Sequence, residues 1–319
     1  MNNIIETWLF AKSFFSDHLI IWYSLNALLG MCFASCVGLI SARLPSMEHY
    51  RFKLNLKEAL DSEGLEVTNK DYFSNLKKPD GLWYPPSRCD HCHTPIKLWH
   101  NIPILGWLML GGKCASCKTK IPFTVLFAEI AGAALGITIA YMVGITPWVF
   151  LWIAFAAWIA AAVWIDWNTG YLPTESLVLL MWIGFILSTF LPATSLMPNP
   201  EQSILGAASG YMIVKIISKL GYLLKGQEGF GGGDSILMAT IGAFVGPVWV
   251  IHGFFIATIV AVFMMPIFIY HTKNKNKNNE GNGYEESTMP FGPALAFGVF
   301  LSILSMGVFS ISPYLPIHF

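Results

Sequence analysis

Long apolar stretches separated by short polar turns dominate the chain after residue 18. A helix that crosses a bilayer needs about 20 predominantly apolar residues, and eight stretches reach or approach that length. They run roughly over Leu19–Ala42, Phe123–Val143, Pro147–Ile165, Thr174–Leu191, Ile204–Leu224, Ser235–Val245, Trp249–Tyr270 and Phe291–Ser312. The pattern predicts an all-α polytopic membrane protein with about eight transmembrane helices.

One long polar interval breaks this pattern, between the first and second stretches. Within it, Phe52, Leu56 and Leu60 recur at helical spacing. Such spacing indicates one amphipathic helix, lying either on the membrane surface or against its own domain. The sequence thus predicts a separate helix after the first span.

Composition and charge place this interval on the cytoplasmic side. The chain is 55% hydrophobic and 12% charged with a net charge of zero, whereas a soluble domain is about one quarter charged. Of 19 Lys and Arg residues, 12 lie between Arg43 and Lys120, and basic loops stay on the inner side of a membrane. This clustering indicates a cytoplasmic loop and no nucleic-acid partner. The same orientation places six further lysines in the cytoplasm, namely Lys215, Lys219, Lys225, Lys273, Lys275 and Lys277.

The polar interval also contains two Cys-x-x-Cys pairs, Cys89 with Cys92 and Cys114 with Cys117. Cysteines of a reducing compartment at this spacing favour a closed four-thiolate zinc site, with disulfides as the alternative. His91 and His93 flank the first pair and could replace a thiolate, although four cysteines suffice.

Three consecutive glycines, Gly231, Gly232 and Gly233, lead into Asp234 at the start of a short apolar stretch. Glycine runs are kept where the backbone passes close to another group, so these three are predicted to shape a site. An ionisable side chain at membrane depth is costly and is a functional candidate by default. Capping of the following helix explains Asp234 equally well when it is taken alone.

A second carboxylate, Asp166, favours the functional interpretation. It ends the stretch that begins at Pro147, which would form a helix about 28 Å long. Asp234 begins a shorter helix, which would run about 18 Å before the turn at Gly246. Both acids are therefore predicted to lie near the cytoplasmic boundary, in one wet cavity walled by protein.

Paired aspartates supply one route to peptide hydrolysis. Held close, they cannot both ionise, so one keeps a proton while the other activates water against a carbonyl. The chain contains no His-Glu-x-x-His motif and no Gly-x-Ser-x-Gly motif, which removes a metal route and a serine route. Asp166 and Asp234 are the catalytic candidates.

Several motifs, in their order along the chain, resemble those of type 4 prepilin peptidases. The resemblance covers most of the chain and rests on Arg43-Leu44-Pro45, Ser87-Arg88-Cys89-x-x-Cys92, Trp99-x-Asn101-Ile102-Pro103, Ile165-Asp166 with Leu172-Pro173, Gly231-Gly232-Gly233-Asp234 and Pro290-Phe291-Gly292-Pro293. The sequence departs from the family pattern at Thr174, at Ile236 and over Thr124-Val125-Leu126.

The resemblance implies a membrane aspartic endopeptidase that removes the leader of type IV prepilins or pseudopilins and then methylates the new N-terminus. It also implies a bacterial inner-membrane location, structural Zn²⁺ and S-adenosylmethionine as methyl donor. Glu129, about two turns into the second stretch, is the candidate for methyl transfer, or else a structural partner of a nearby lysine.

The alternatives to this function are another GxGD protease, of the preflagellin or signal-peptide peptidase type, and a non-enzymatic transporter or assembly scaffold.

Four segments follow from these interpretations. We predict a periplasmic N-terminus over residues 1–18 and a first transmembrane helix over residues 19–42. A cytoplasmic zinc domain over residues 43–121 and a seven-helix membrane peptidase domain over residues 122–319 complete the chain.

Overall fold

The protein is predominantly helical in the part of the chain that the computed structural model describes, which is residues 2–64, 73, 77–82, 84–191, 198–226, 230–278 and 290–310. This part has a 3-10 turn at Leu98–Asn101, two isolated β-bridges and no β-strand. The α-helices are α1 (Asn2–Asp17), α2 (Leu19–Ser62), α3 (Leu105–Met109), α4 (Phe123–Val143), α5 (Val149–Thr169), α6 (Thr174–Phe190), α7 (Pro200–Lys225), α8 (Gly232–Val245), α9 (Pro247–Asn278) and α10 (Gly292–Ser310). The all-α class predicted from the sequence is confirmed.

Eight of these helices, α2 and α4 to α10, coincide with the eight predicted spans. Five of them, α2, α4, α5, α7 and α9, are long and apolar enough to cross a membrane. The other three, α6, α8 and α10, are shorter apolar helices. The protein is therefore a multi-pass membrane protein, and a count of eight crossings stays a prediction.

The chain divides into two compact units, Met1–Ala161 and Ala162–Phe319. In the first unit, α4 packs along α2. The two helices approach closely because glycines face each other: a Cβ added to Gly30 would lie 2.1 Å from the carbonyl oxygen of Gly132. This packing groups α4 with the residues that precede it, and the division near residue 122 suggested by the sequence stays a prediction.

Helix α2 is longer than the sequence suggested. Its 44 residues span about 66 Å at 1.5 Å per residue, about twice the thickness of a hydrocarbon core. The first span and the expected separate amphipathic helix form one continuous helix, although Pro45 lies inside it. A proline inside a helix removes one hydrogen bond and often kinks or breaks the helix, yet α2 continues through Pro45.

In the second unit, α8 is the central helix. It packs against α6, α7, α9 and α10, and all nine residues from Leu237 to Val245 are buried. At 14 residues it is only about 21 Å long. A helix so short and so enclosed is surrounded by protein, which allows it to carry a polar group at its N-terminus.

Close packing of α7 on α8 depends on a pair of glycines. A Cβ added to Gly206 or to Gly242 would lie 2.1 Å from the carbonyl oxygen of the other residue. We therefore expect Gly242→Ala to lower the free energy of unfolding by about 1–3 kcal/mol, the usual cost of overpacking. Thermal unfolding of the purified protein in detergent measures this loss.

The matched control is Gly38→Ala in α2, where an added Cβ meets nothing within 4 Å. Because alanine has a higher helix propensity than glycine, this variant should be as stable as the wild type or more stable by up to about 1 kcal/mol. Equal stability of the two variants would contradict the proposed glycine contact.

Candidate active site and metal centre

Asp166 lies in the last turn of α5, where a carboxylate is unfavourable. The partial charge at a helix C-terminus is negative, so the helix dipole repels an acid there. The residue is only 4% exposed, and its Oδ2 accepts a hydrogen bond from the backbone N–H of Gly292 at 3.0 Å. Helix stability does not account for this residue, so a chemical role is the better explanation.

Asp234 is the third residue of α8 and is 7% exposed. Its Oδ2 accepts a hydrogen bond from the backbone N–H of Gly231 at 3.0 Å, which is the contact that a capping-box carboxylate makes. Asp234 therefore caps its helix, as one of the two sequence interpretations requires. Capping occupies one carboxyl oxygen and is compatible with a second role for the other.

Both aspartates lie in the second unit. The charge of Asp234 acts on Asp166, and both residues are buried. Two carboxyl groups in such a setting can share one proton. The pair can then accept a proton from a water molecule and donate one to a carbonyl oxygen.

The three glycines before and at the start of α8 have different surroundings. Gly231 donates its N–H to Asp234. A Cβ on Gly233 would lie 2.9 Å from the Cβ of Leu172, so glycine at this position lets the buried Leu172 approach the start of α8. A Cβ on Gly232 would meet nothing within 4 Å.

Sequence reasoning assigned no role to Gly292, which proves to be the hydrogen-bond partner of Asp166. A Cβ on this residue would lie 2.5 Å from the Oδ2 of Asp166. The only signal in the sequence was the motif Pro290-Phe291-Gly292-Pro293, and a backbone donor leaves no side-chain pattern to detect.

The four cysteines of the polar interval form one cluster in the first unit. Their sulfur atoms all lie within 4.8 Å of one another, with 3.8 Å between Cys89 and Cys117 and 3.9 Å between Cys92 and Cys114. A tetrahedral zinc site with Zn–S bonds of about 2.3 Å has sulfur–sulfur edges of about 3.8 Å, whereas a disulfide bond is about 2.0 Å long. The geometry fits a metal site and not the disulfide alternative.

Two loops of matching conformation, Cys89–Thr94 and Cys114–Thr119, present these sulfur atoms. In each loop the first residue donates its N–H to the carbonyl of the last, at 3.1 and 2.8 Å. The fifth residue of each, His93 and Lys118, has a positive φ of 55° and 59°. In the described residues the metal-binding group consists of the four cysteines, and the flanking histidines are not part of it.

Threonine hydroxyls next to the cluster favour the form of cysteine that binds metal. The hydroxyl of Thr94 lies 3.3 Å from the sulfur of Cys92, and that of Thr119 lies 3.2 Å from the sulfur of Cys117. These hydrogen bonds lower the pKa of both thiols, because a hydroxyl donor stabilises the thiolate. The thiolate is the metal ligand.

Glu129 lies in α4 of the first unit and is 7% exposed. Its Oε2 accepts a hydrogen bond from the backbone N–H of Ile104 at 2.6 Å. Ile104 has φ 61° and ψ −53°, and the N–H of Leu105 donates to the carbonyl of Pro103 at 2.6 Å. This is a γ-turn with a β-branched residue at positive φ, a rare and strained conformation. Among the residues that the structure describes, the partner of this carboxylate is thus a backbone amide and not a lysine.

Comparison with known proteins finds two family models that match the chain. Residues 28–143 match the Bacterial Peptidase A24 N-terminal domain, and residues 153–266 match the Type IV leader peptidase family. No solved structure matches the chain.

Curated relatives extend the match over most of the chain. A protein of Neisseria gonorrhoeae named prepilin leader peptidase/N-methyltransferase is 32% identical over 248 residues, which cover 75% of this chain and 81% of the relative. A protein of the same name from Pseudomonas aeruginosa is 30% identical over 296 residues, which cover 91% and 93%. At these identities and coverages, the chain belongs to the type IV leader peptidase family.

Proposed function

We propose that the chain is a bacterial inner-membrane aspartic endopeptidase that cleaves the leader peptide of type IV prepilin-like proteins and N-methylates the new N-terminus. The observation that carries the peptidase activity is the pair of buried, interacting aspartates, one of them at a helix end that disfavours acids. Relatives named prepilin leader peptidase/N-methyltransferase support both activities. Asp166 and Asp234 are the proposed catalytic residues.

In the proposed hydrolysis, the ionised carboxyl takes a proton from a water molecule, and the water oxygen attacks the carbonyl carbon of the scissile bond. The protonated carboxyl gives its proton to the carbonyl oxygen. As the tetrahedral intermediate collapses, the first carboxyl protonates the leaving nitrogen and the second takes a proton back from a hydroxyl. Each aspartate uses Oδ2 for a backbone N–H, which leaves Oδ1 for the water and the carbonyl.

The proposed site faces the cytoplasm. This orientation rests on the charge distribution, since the predicted eight-span arrangement would put 18 of the 19 basic residues on the same side as the four cysteines. A substrate would keep its own apolar helix in the bilayer and present its leader on the cytoplasmic side. Gly231, Gly232 and Gly233 are proposed to shape this site around the scissile bond.

Zn²⁺ is the metal that we assign to Cys89, Cys92, Cys114 and Cys117. Four thiolates close the coordination shell of zinc, so the metal is structural and takes no part in hydrolysis. It would cross-link two loops that have little apolar core of their own.

S-adenosylmethionine is the proposed methyl donor, which when bound supplies the methyl group for the new N-terminal amine. Glu129 is the proposed residue for this second reaction. One of its oxygens accepts the N–H of Ile104, which leaves the other oxygen, and the negative charge, for a cationic donor or amine. In this proposal the two activities use different residues, with Glu129 serving methyl transfer and the two aspartates serving cleavage.

The proposed function is tested with the purified full-length chain in lipid nanodiscs and a type IV prepilin as substrate. Mass spectrometry should show a product shortened by its leader and carrying one methyl group on the new N-terminal residue. The same pilin without its leader is the control and should stay unchanged. An intact prepilin after incubation would overturn the peptidase, and a shortened but unmethylated product would overturn the methyltransferase.

Replacing Glu129 by glutamine should reduce methylation about tenfold or more while leaving cleavage near the wild-type rate. Glutamine keeps the shape and can still accept the N–H of Ile104, so only the charge is lost. Mass spectrometry of the product gives the methylated fraction and the cleaved fraction in one measurement.

Two further variants separate the charge of Glu129 from its contact with the turn. Glu129→Ala also removes the acceptor for the strained Ile104 turn and should lower stability as well as methylation. Glu58→Gln changes an exposed glutamate of α2 and should alter neither. Equal loss of cleavage and methylation in Glu129→Gln would contradict separate sites.

A further inference from the structure

The two catalytic candidates receive their backbone hydrogen bonds in the same way. The dipeptide Phe230-Gly231 supplies the glycine N–H that binds Asp234, and the dipeptide Phe291-Gly292 supplies the one that binds Asp166. Both bonds are 3.0 Å long and both go to Oδ2. Each aspartate is therefore held by a glycine that directly follows a phenylalanine.

The two phenylalanines contact each other. Their ring centroids lie 4.6 Å apart with 65° between the ring planes, an edge-to-face arrangement that is favourable for aromatic pairs. The dipeptides are far apart in sequence, one before α8 and the other before α10. The ring contact is thus a direct link between the two segments that supply the glycine donors.

One side of this link is fixed by neighbouring helices. The carbonyl of Phe230 accepts a hydrogen bond from the hydroxyl of Ser218 in α7 at 3.1 Å. The ring of Phe230 also lies 6.3 Å from that of Phe254 in α9, centroid to centroid. Phe230 is therefore anchored, and Phe291 is positioned through it.

We propose that Phe230 and Phe291 form an aromatic clasp that positions the two catalytic carboxyl groups relative to each other, through the glycine that follows each phenylalanine. The proposal rests on the peptidase function given above. Two carboxyl groups that share a proton and a water must keep a fixed separation, and an error of about 1 Å in a reacting geometry costs about a hundredfold in rate. Phe230 and Phe291 are positioning residues, because they act through the glycines.

The test measures kcat and KM for prepilin cleavage by Phe230→Leu, Phe291→Leu and the double variant. Each single substitution removes the ring contact and should lower kcat about ten- to a hundredfold, with KM within about twofold of the wild type. The double variant should lose no more than the more impaired single variant, because the clasp is already open. Tyrosine at either position keeps a ring and should retain wild-type kcat.

Phe297→Leu is the matched control. Phe297 in α10 also makes a ring contact within the second unit, with Phe300 at 6.4 Å between centroids, but it is not one of the residues that form or anchor the clasp. Its substitution should leave kcat within about twofold of the wild type. If a leucine variant does not accumulate in the membrane, the methionine variant at the same position replaces it, because methionine keeps most of the side-chain volume. The expected loss of kcat is the same.

Three outcomes would overturn the clasp: unchanged kcat in folded Leu or Met variants, losses that multiply in the double variant, or a raised KM with unchanged kcat. The last would place the rings on the substrate. Asp166→Asn in the same assay separates the two proposals. If Asp166→Asn still cleaves, the proposed function itself fails; if it is inactive while the Phe variants keep their kcat, only the clasp fails.

Discussion

Replacing either Asp166 or Asp234 by asparagine is expected to abolish leader cleavage, with a fall in rate of at least about a thousandfold. The amide keeps the shape of the carboxyl group and can still accept the N–H of its glycine. It can neither take a proton from water nor hold the shared proton, and acid–base catalysis of this kind contributes about 10²–10⁴-fold. Single-turnover cleavage of a prepilin by the purified variants measures the loss.

Both variants should reach wild-type levels in the membrane and melt at a similar temperature. Asp61→Asn is the matched control, since Asp61 is exposed in α2 and the substitution should leave the rate unchanged. Appreciable cleavage by either active-site variant would rule out a catalytic pair. Full loss in one variant and none in the other would indicate a single catalytic acid.

Substitution of any one of the four clustered cysteines by serine should release the metal and unfold the surrounding loops. A structural zinc site contributes about 10–16 kcal/mol of apparent binding free energy, and in a small metal-bound domain that energy is folding energy. The purified wild-type protein should contain one zinc per chain, measured by elemental analysis. The Cys89→Ser and Cys114→Ser variants should contain almost none, and a protease should cut them within residues 86–121.

Cys32 and Cys36 provide matched controls, because both are exposed thiols in α2, outside the cluster. Cys32→Ser and Cys36→Ser should keep the metal and the wild-type resistance to protease. A chelator should reproduce the effect of the cluster variants in the wild-type protein. Metal-free protein whose loops stay resistant would show that the fold of this segment does not depend on zinc.

Features set by local sequence could be predicted here. Apolar runs located the eight apolar helices α2 and α4 to α10, because a helix segment in lipid must be apolar. The spacing Cys89-x-x-Cys92 and Cys114-x-x-Cys117 located the metal cluster, because each pair can supply two thiolate ligands to the same ion. The paired aspartates were identified because each lies where an apolar run begins or ends.

Features set by tertiary contacts could not be predicted in the same way. The helix expected after the first span is the continuation of α2, which runs on through Pro45, and the hydrophobic pattern alone does not show that the two segments join. The hydrogen bonds from Gly231 and Gly292 come from the backbone, which has the same groups at every position. The γ-turn at Ile104 could not be predicted either, because its backbone N–H donates to Glu129, which lies 25 residues later in the sequence.

The enclosure of α8 determines which part of the protein can move to admit a substrate. Every residue from Leu237 to Val245 is covered by neighbouring helices, and Gly242 interlocks with Gly206, so α8 cannot shift without disrupting its contacts. A scissile bond must reach water in an extended form, which requires an opening beside the carboxyl pair. We therefore expect Asp234 to stay in place when a substrate enters, and the movement that admits the substrate to occur in elements other than α8.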